Sequence, residues 1–230
     1  MVSMLTNVLN EPRLQGFASG SSPRINRVRN QLVQNFMDTP KKFEWLWMVD
    51  TDMVLPPNAL STLLSTAKKY NRKLVGGLAY IFKPDEAVTF LPSMLHHVTD
   101  EAKELLEFSD GEDKDMFIIN KPPTKRFIEV DSTGFFCMLV HRSLLEAVDE
   151  AYAHKGFRWI NEEDQGAGDD MKGPDVEFYE RIQKATGVTP LIDASVQPGH
   201  IKEFTITHEL AVQSYHGLGW EQFVELEDNA

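Results

Sequence analysis

Hydrophobic positions along the chain occur in two patterns: short continuous runs, and runs spaced by three or four residues. Continuous apolar runs predict buried strands, whereas helical spacing predicts amphipathic helices. The two kinds of run alternate, which predicts an α/β fold with a sheet flanked by helices. The predicted strands are 45–49, 73–82, 127–131, 135–141 and 188–196. Two helices are predicted at 23–37 and 57–70. A third begins at Arg142 and includes Val148, and a fourth begins at Pro174 and ends at Gly187.

The order of these segments predicts how they connect. The strand at 45–49, the helix at 57–70 and the strand at 73–82 form a β-α-β unit with parallel strands and a right-handed crossover. The run at 188–196 is predicted to be a last strand at the sheet edge. Ser22 is the predicted N-cap of the first helix, with Pro23 at its first position. No apolar run precedes that helix, so we expect either that the usual first strand of an α/β domain is missing or that the fold supplies this strand differently.

Two acidic residues end the first predicted strand. Asp50 and Asp52 follow an apolar run from Trp45 to Val49, so we expect them at the carboxyl edge of the sheet, where open α/β folds bind ligands. In extended backbone their side chains would point to the same side. Carboxylate oxygens on one side suit Mg²⁺ or Mn²⁺. The alternative is that Asp-x-Asp serves only as turn or capping chemistry.

Small residues and arginines surround the start of the first helix. A Gly- and Ser-rich loop from Gly16 to Pro23 precedes it, and Arg24, Arg27 and Arg29 lie within its first two turns. Free backbone N–H groups at a helix start can bind a phosphate. The alternative is a solvated basic helix face in an acidic protein.

Two further features have both a structural and a functional interpretation. Gly76 and Gly77 interrupt a strand, which indicates close approach of a ligand or of another backbone segment. Close packing of a helix would explain the two glycines equally well. Asp175 lies in the first turn of its helix, where it could complement the helix dipole or act as a base facing a cleft. The residues themselves leave both pairs of alternatives open.

Composition limits the classes of function. The 230 residues suffice for one substantial domain, and the formal net charge of −12 argues against broad binding to nucleic acid. A single cysteine, Cys137, excludes an internal disulfide and fits a reducing compartment. No apolar stretch is long enough to insert into a membrane, and no signal peptide is recognisable. We therefore expect a cytoplasmic protein.

An ordered set of short motifs resembles GT-A-fold glycosyltransferases, particularly small family-2-like enzymes of tailed bacteriophages. Each motif alone is common, but their order over residues 16–204 matches those enzymes. The motifs are Ser-Gly-Ser-Ser-Pro-Arg-Ile with Arg29-Asn30, then Asp50-Thr51-Asp52, Val-Gly-Gly at 75–77, Asp-Ser-Thr-Gly-Phe at 131–135, Pro-Asp-Val-Glu-Phe at 174–178 and Gly-His-Ile-Lys at 199–202.

The resemblance implies a GT-A Rossmann-like mixed sheet flanked by helices, with a catalytic domain at 1–204 and a peripheral helical, acidic tail at 205–230. It also implies transfer of a sugar from a nucleotide-diphosphate donor to a hydroxyl, with inversion by single displacement. The acceptor would be a virion protein, a glycan or a modified nucleobase, and in a phage the enzyme would work in the host cytoplasm. In those relatives a strand carrying the nucleobase pocket precedes the region around Met4 to Leu9, so we expect this chain to start late.

Roles for individual residues follow from the same resemblance. Asp175 would be the catalytic base, although Pro174 stands where those enzymes have a glutamate. A divalent cation, Mn²⁺ or Mg²⁺, would bind to Asp52, Asp50 and His200. The donor-binding residues would be Arg29, Asn30, Asp50, Gly76 and Gly134.

Two other classes of function stay open. The run Met48 to Val54 also resembles the nucleophile motif of haloacid-dehalogenase-like phosphatases, in which Asp50 would attack phosphorus and Asp52 would be the acid/base. The polar segment before Asp169 and Asp170 does not match the strand expected before the second acidic cluster of those phosphatases. The third possibility is a non-catalytic module that binds a nucleotide sugar.

Overall fold

A computed structural model describes residues 13–20, 24–83, 89–97, 116–118, 123–153, 159–160 and 173–201. The helices are α1 (Ile25–Met37), α2 (Ala59–Lys69), α3 (Arg142–Tyr152) and α4 (Pro174–Thr186). The strands are β1 (Trp45–Met48), β2 (Met53–Val54), β3 (Leu74–Gly77), β4 (Tyr80–Lys83), β5 (Thr89–Pro92), β6 (Leu95–His97), β7 (Met116–Ile118), β8 (Phe127–Glu129), β9 (Met138–His141), β10 (Leu191–Asp193) and β11 (Gly199–His200).

A mixed five-stranded sheet in the order β1-β9-β3-β10-β8 forms the centre of the described chain. β1 and β3 both pair antiparallel with β9, so they run in the same direction but are not neighbours. The two strands of the predicted β-α-β unit therefore run in the same direction, as predicted, but β9 lies between them. β3 and β10 are the parallel neighbours. The carboxyl ends of β1, β3 and β10 consequently lie at one edge of the sheet.

The predicted strand at 73–82 is two strands. β3 belongs to the central sheet, whereas β4 leaves it and pairs with β5. The break falls at Leu78 and Ala79, where the Leu78 N–H donates to the Val196 carbonyl and the Ala79 carbonyl accepts from Ser93 N–H. These two bonds replace sheet pairing, so the chain turns although its side chains remain buried.

The last predicted strand is shorter than expected and is not at an edge. β10 lies between β3 and β8, so the prediction of an edge strand was wrong. Its neighbours come from distant segments, which local hydrophobicity does not reveal. The strand expected at 135–141 is also shorter, because β9 begins at Met138 and residues 135–137 form a turn.

Helix boundaries agree with the sequence to within a few residues. α1 begins at Ile25 with Arg24 as its N-cap, two residues later than predicted, while Ser22 and Pro23 lie outside the described residues. α4 begins at Pro174 as predicted. Gly187 ends it with a φ of 71°, a left-handed conformation that glycine adopts at little cost.

Alternate residues of the central strands enter two separate clusters of buried side chains. Leu74, Met138 and Val140 pack with α1, α3 and α4, whereas Val75 and Leu139 pack with α2. Because successive side chains of a strand point to opposite faces, helices cover both faces of the sheet. Within the described part of the chain, no helix has the length and apolar content needed to cross a bilayer.

Two buried charged groups fix the ends of these elements. Arg142, at the start of α3, donates to the carbonyls of Phe36, Met37 and Phe43, so it satisfies the carboxyl end of α1 and the chain after it. Asp193, at the end of β10, is fully buried and accepts from Arg126 and Thr66. Burial alone would raise the pKa of Asp193, but hydrogen bonds from Arg126, Ser195 and Thr66 lower it to about 2.

Candidate active site

The two acidic residues after β1 lie at the edge of the sheet, as predicted, but they face different partners. Residues 51–52 form a turn, and the Met53 N–H donates to the Asp50 carbonyl at 3.3 Å. The backbone is therefore not extended through Thr51, and the predicted alignment of both carboxylates on one side was wrong. Asp50 contacts Arg29, while Asp52 contacts His200.

The small sheet of β2 and β11 brings His200 to Asp52. Gly199 pairs with Val54 and His200 with Met53, and the Ile201 N–H donates to the Asp52 carbonyl at 2.8 Å. The His200 Nε2 atom lies 2.9 Å from Asp52 Oδ2. Two segments separated by 148 residues in the chain thus form one end of the site, which we call the Asp52–His200 end.

Hydrogen-bond roles at the Asp52–His200 end follow from its acceptors. The Nδ1 atom of His200 lies 3.2 Å from the Tyr80 carbonyl oxygen, which can only accept, so Nδ1 carries the hydrogen of this contact. Nε2 then faces a carboxylate oxygen, so a second proton or a cation is needed between these two atoms. A backbone carbonyl that fixes Nδ1–H is the usual support of a metal-binding histidine.

The Asp52–His200 end fits a divalent cation. Neighbouring ligands at about 2.1 Å from an octahedral ion lie about 3.0 Å apart. The 2.9 Å between Nε2 and Oδ2 agrees with that spacing. Among the residues that the structure describes, no group of three or more His, Cys, Asp or Glu side chains suitable for a metal occurs, so Asp50 as a third metal ligand stays a prediction. Mg²⁺ is commonly held by one or two carboxylates with substrate phosphates completing the shell, and Asp52 would supply one such carboxylate.

The other end of the site consists of Arg29, Asp50 and Asp175, which we call the Arg29 cluster. Arg29 Nη2 donates to Asp50 Oδ1 at 3.2 Å, and Nη1 forms a short ion pair with Asp175. The Arg29 side chain is 9% exposed, and its guanidinium lies 4.3 Å from the centre of the Phe135 ring. A buried guanidinium on an aromatic face has little freedom to move, so it fixes both carboxylates.

The protonation of Asp175 is perturbed by its surroundings. Burial raises its pKa to about 6; the positive charge of Arg29 opposes this rise, and the negative charge of Asp50 adds to it. The Phe135 N–H also donates to Asp175 and favours its ionised form. A carboxylate with a pKa close to neutral is suited to accept a proton during a reaction. The ion pair with Arg29 is a contact of Asp175 beyond the dipole of α4, and its role as a base stays a prediction.

Other predicted site residues have contacts within the protein. Asn30 donates its amide to the Ile160 carbonyl at 2.7 Å and accepts from the Ile160 N–H at 3.1 Å, so it anchors that segment to α1. A Cβ at Gly76 would lie 2.8 Å from the Met138 Cε atom, and one at Gly134 would overlap the Phe136 ring. A larger residue would therefore disturb the packing at both positions, although at Gly76 it would first meet the flexible end of a methionine. A donor contact at Asn30, Gly76 and Gly134 stays a prediction.

Sequence reasoning missed several groups that support the site. Phe135 stacks on Arg29, the Tyr80 carbonyl orients His200, and the Phe136 ring lies 5.1 Å from the His200 ring. Only the two phenylalanines could have been found from the sequence, since Phe135 is the last residue of the Asp-Ser-Thr-Gly-Phe motif and Phe136 follows it. The charge of Asp175 also acts on the fully buried hydroxyl of Tyr179.

Comparison with known proteins supports the fold. The structure is similar to the crystal structure of A197 from STIV, with a TM-score of 0.50 and 13% sequence identity over 87% of this chain and 80% of that chain. Together with the mixed sheet and its helices on both faces, this similarity confirms the predicted α/β fold with a mixed sheet flanked by helices. No protein-family model and no curated protein sequence matches the chain.

Proposed function

We propose that this protein is a metal-dependent glycosyltransferase that moves a sugar from a nucleotide-diphosphate donor to a hydroxyl acceptor. The observation that carries the proposal is the convergence of Asp52, His200, Arg29 and Asp175 at the carboxyl edge of one sheet. These groups come from four separate segments of the chain. The edge therefore combines a pair suited to a cation with a carboxylate suited to accept a proton.

The donor's diphosphate would bind at the Asp52–His200 end. Breaking the bond between sugar and diphosphate leaves negative charge on the departing oxygen, which a divalent cation there would offset. Asp52 is 42% exposed in its side chain, so a ligand arriving from solvent can reach this carboxylate. His200 is only 10% exposed and is fixed by Tyr80, so it would orient that ligand.

Asp175 would accept the proton of the attacking hydroxyl. Its side chain is 29% exposed, so one side can meet an acceptor while burial maintains its raised pKa. A base near the sugar and a diphosphate at the other end favour single displacement with inversion. Asp50, which already contacts Arg29, would bind the ribose or sugar of the donor, with Asn30, Gly76 and Gly134 nearby in this proposal.

The experiment is a panel of nucleotide sugars, assayed for donor hydrolysis and transfer with Mn²⁺, with Mg²⁺ and with a chelator. We expect turnover with at least one donor and its loss on chelation. Asp52→Ala and Asp175→Asn should each reduce turnover by about a hundredfold or more. Asp38→Asn, an exposed carboxylate at the end of α1, is the matched control and should leave turnover intact.

The same panel separates the alternatives. Near-normal turnover of Asp175→Asn would contradict the base assignment. Thermal stabilisation by a donor without any turnover would indicate a binding module. A phosphoryl group trapped on Asp50 during incubation with phosphate esters would establish the phosphatase mechanism instead.

A further inference from the structure

Arg29 joins two carboxylates that the chain keeps far apart. Asp50 is 21 residues from Arg29 and Asp175 is 146 residues from it, yet each contacts a different terminal nitrogen of the same guanidinium. The Phe135 ring supports the guanidinium from one face. Arg29 itself is buried in the middle of α1, so its backbone position is fixed by the helix.

Without this cation, the two carboxylates would repel each other. Charges that share a partly buried site interact more strongly than they do in water, and one of two facing carboxylates is then forced to take up a proton. The planar guanidinium has donors directed along two edges, so it can hold two carboxylates at once in fixed directions. A lysine carries the same charge but lacks that shape.

We propose that Arg29 is a positioning residue for Asp175, holding its carboxylate as an anion in a fixed direction against the repulsion of Asp50. The catalytic consequence rests on the proposed function, because it matters only if Asp175 is the base. The contact itself does not depend on that function. Arg29 would therefore set the lower pH limit of the reaction without touching the reacting atoms.

The groups around Asp175 define the direction of each expected change. The positive charge of Arg29 and the Phe135 N–H favour the carboxylate anion, whereas the charge of Asp50 disfavours it. The Tyr179 hydroxyl, one turn further along α4, is buried and has no hydrogen-bond partner within the described residues. Removing Arg29 should therefore raise the pKa of Asp175 above about 6, and removing the charge of Asp50 should lower it.

The test is an NMR titration of protein labelled with ¹³C in the aspartate carboxyl groups, with the Asp175 signal assigned from its absence in Asp175→Asn. We expect Arg29→Met to raise the pKa of Asp175 by about one unit or more, the usual size of an arginine's effect on a neighbouring carboxylate. Arg29→Lys should raise it less, and Asp50→Asn should lower it. Arg27→Met removes an exposed positive charge from the same helix and should leave the titration unchanged.

A midpoint in folded Arg29→Met within a few tenths of a unit of the wild-type value would overturn the proposal, as would an equal shift in Arg27→Met. If Arg29→Met does not fold, Arg29→Lys decides in the same way: a raised midpoint supports the role and an unchanged one contradicts it. The acid limb of the pH–rate profile should move with the NMR midpoint. A shifted midpoint with full turnover in Asp175→Asn would preserve the coupling and refute the base. An unshifted midpoint with no turnover in Asp175→Asn would refute the coupling to Arg29 and support Asp175 as the base.

Discussion

Asp175→Asn should make the folded protein more stable at neutral pH, although it removes an ion-pair partner of Arg29. Burial holds the pKa of Asp175 at about 6, against an ordinary value of 3.8. Between these two pH values the folded state binds more protons than the unfolded state, so stability falls as pH rises from 3.8 to 6. The full penalty is present above pH 6. A shift of roughly two units corresponds to about 3 kcal/mol, an upper figure because part of the side chain reaches solvent.

Asparagine has nearly the same shape and no charge, so it should relieve this penalty. Urea unfolding of wild type and Asp175→Asn at pH 8 and pH 4.5 measures the difference directly. We expect the variant to be more stable by about 2 to 3 kcal/mol at pH 8 and by only about 1 kcal/mol at pH 4.5. Equal or lower stability of the variant at pH 8 would refute the reasoning. A gain that is the same at both pH values would also refute it, since the cause would not be ionisation.

Three other predictions concern the framework that positions the site. Asp193 has a lowered pKa of about 2, so ionised Asp193 should add about 1 to 2 kcal/mol to the free energy of unfolding above pH 4. This contribution should disappear as pH falls toward 2. An Asp193→Asn variant that loses stability equally at pH 7 and pH 2 would contradict this. Arg142→Met should lower the free energy of unfolding by about 1 to 3 kcal/mol, because it removes the side-chain donor to the part-buried carbonyls of Met37 and Phe43. Denaturant unfolding with no loss of stability would contradict that role. Gly77→Ala should be less stable than Gly76→Ala by about 1 kcal/mol or more in thermal unfolding, since the new Cβ meets the Val196 backbone carbonyl at Gly77 but a flexible methionine end at Gly76.

Local pattern predicted the elements that depend on neighbouring residues. The helix from Pro174 to Thr186 has its proline at the start, its glycine after the end and an apolar face between them, and the structure has these bounds. The strand from Trp45 was predicted for the same reason, and the turn after it was the alternative interpretation of Asp50 and Asp52. The α/β class followed from the alternation of these segments, and the structural similarity confirms it.

Pairing between distant segments was not predictable from such patterns. β9 inserts between β1 and β3, and β10 lies inside the sheet, because strand order depends on which long-range contacts bury the most surface. The break after Gly77 depends on the carbonyl of Val196, and a backbone acceptor leaves no signature in the sequence.

The candidate site shows the same division. Asp50, Asp52 and Asp175 were singled out from their positions at the ends of elements, whereas His200 was singled out only through a family resemblance. The contact between Arg29 and Asp175 crosses 146 residues of chain. Neither residue type nor spacing indicated that Arg29 would face carboxylates instead of solvent or a phosphate.

The central claim is that one edge of the sheet carries a donor-binding end and a separate base. Calorimetric titration of wild type, Asp52→Ala and Asp175→Asn with a nucleotide sugar that the wild type turns over, in the presence of Mn²⁺, tests it most directly. We expect Asp175→Asn to bind the donor within about threefold of wild type and Asp52→Ala to bind it at least about tenfold more weakly. Equal loss of donor binding in both variants, or normal binding by Asp52→Ala, would contradict a site with two separate ends.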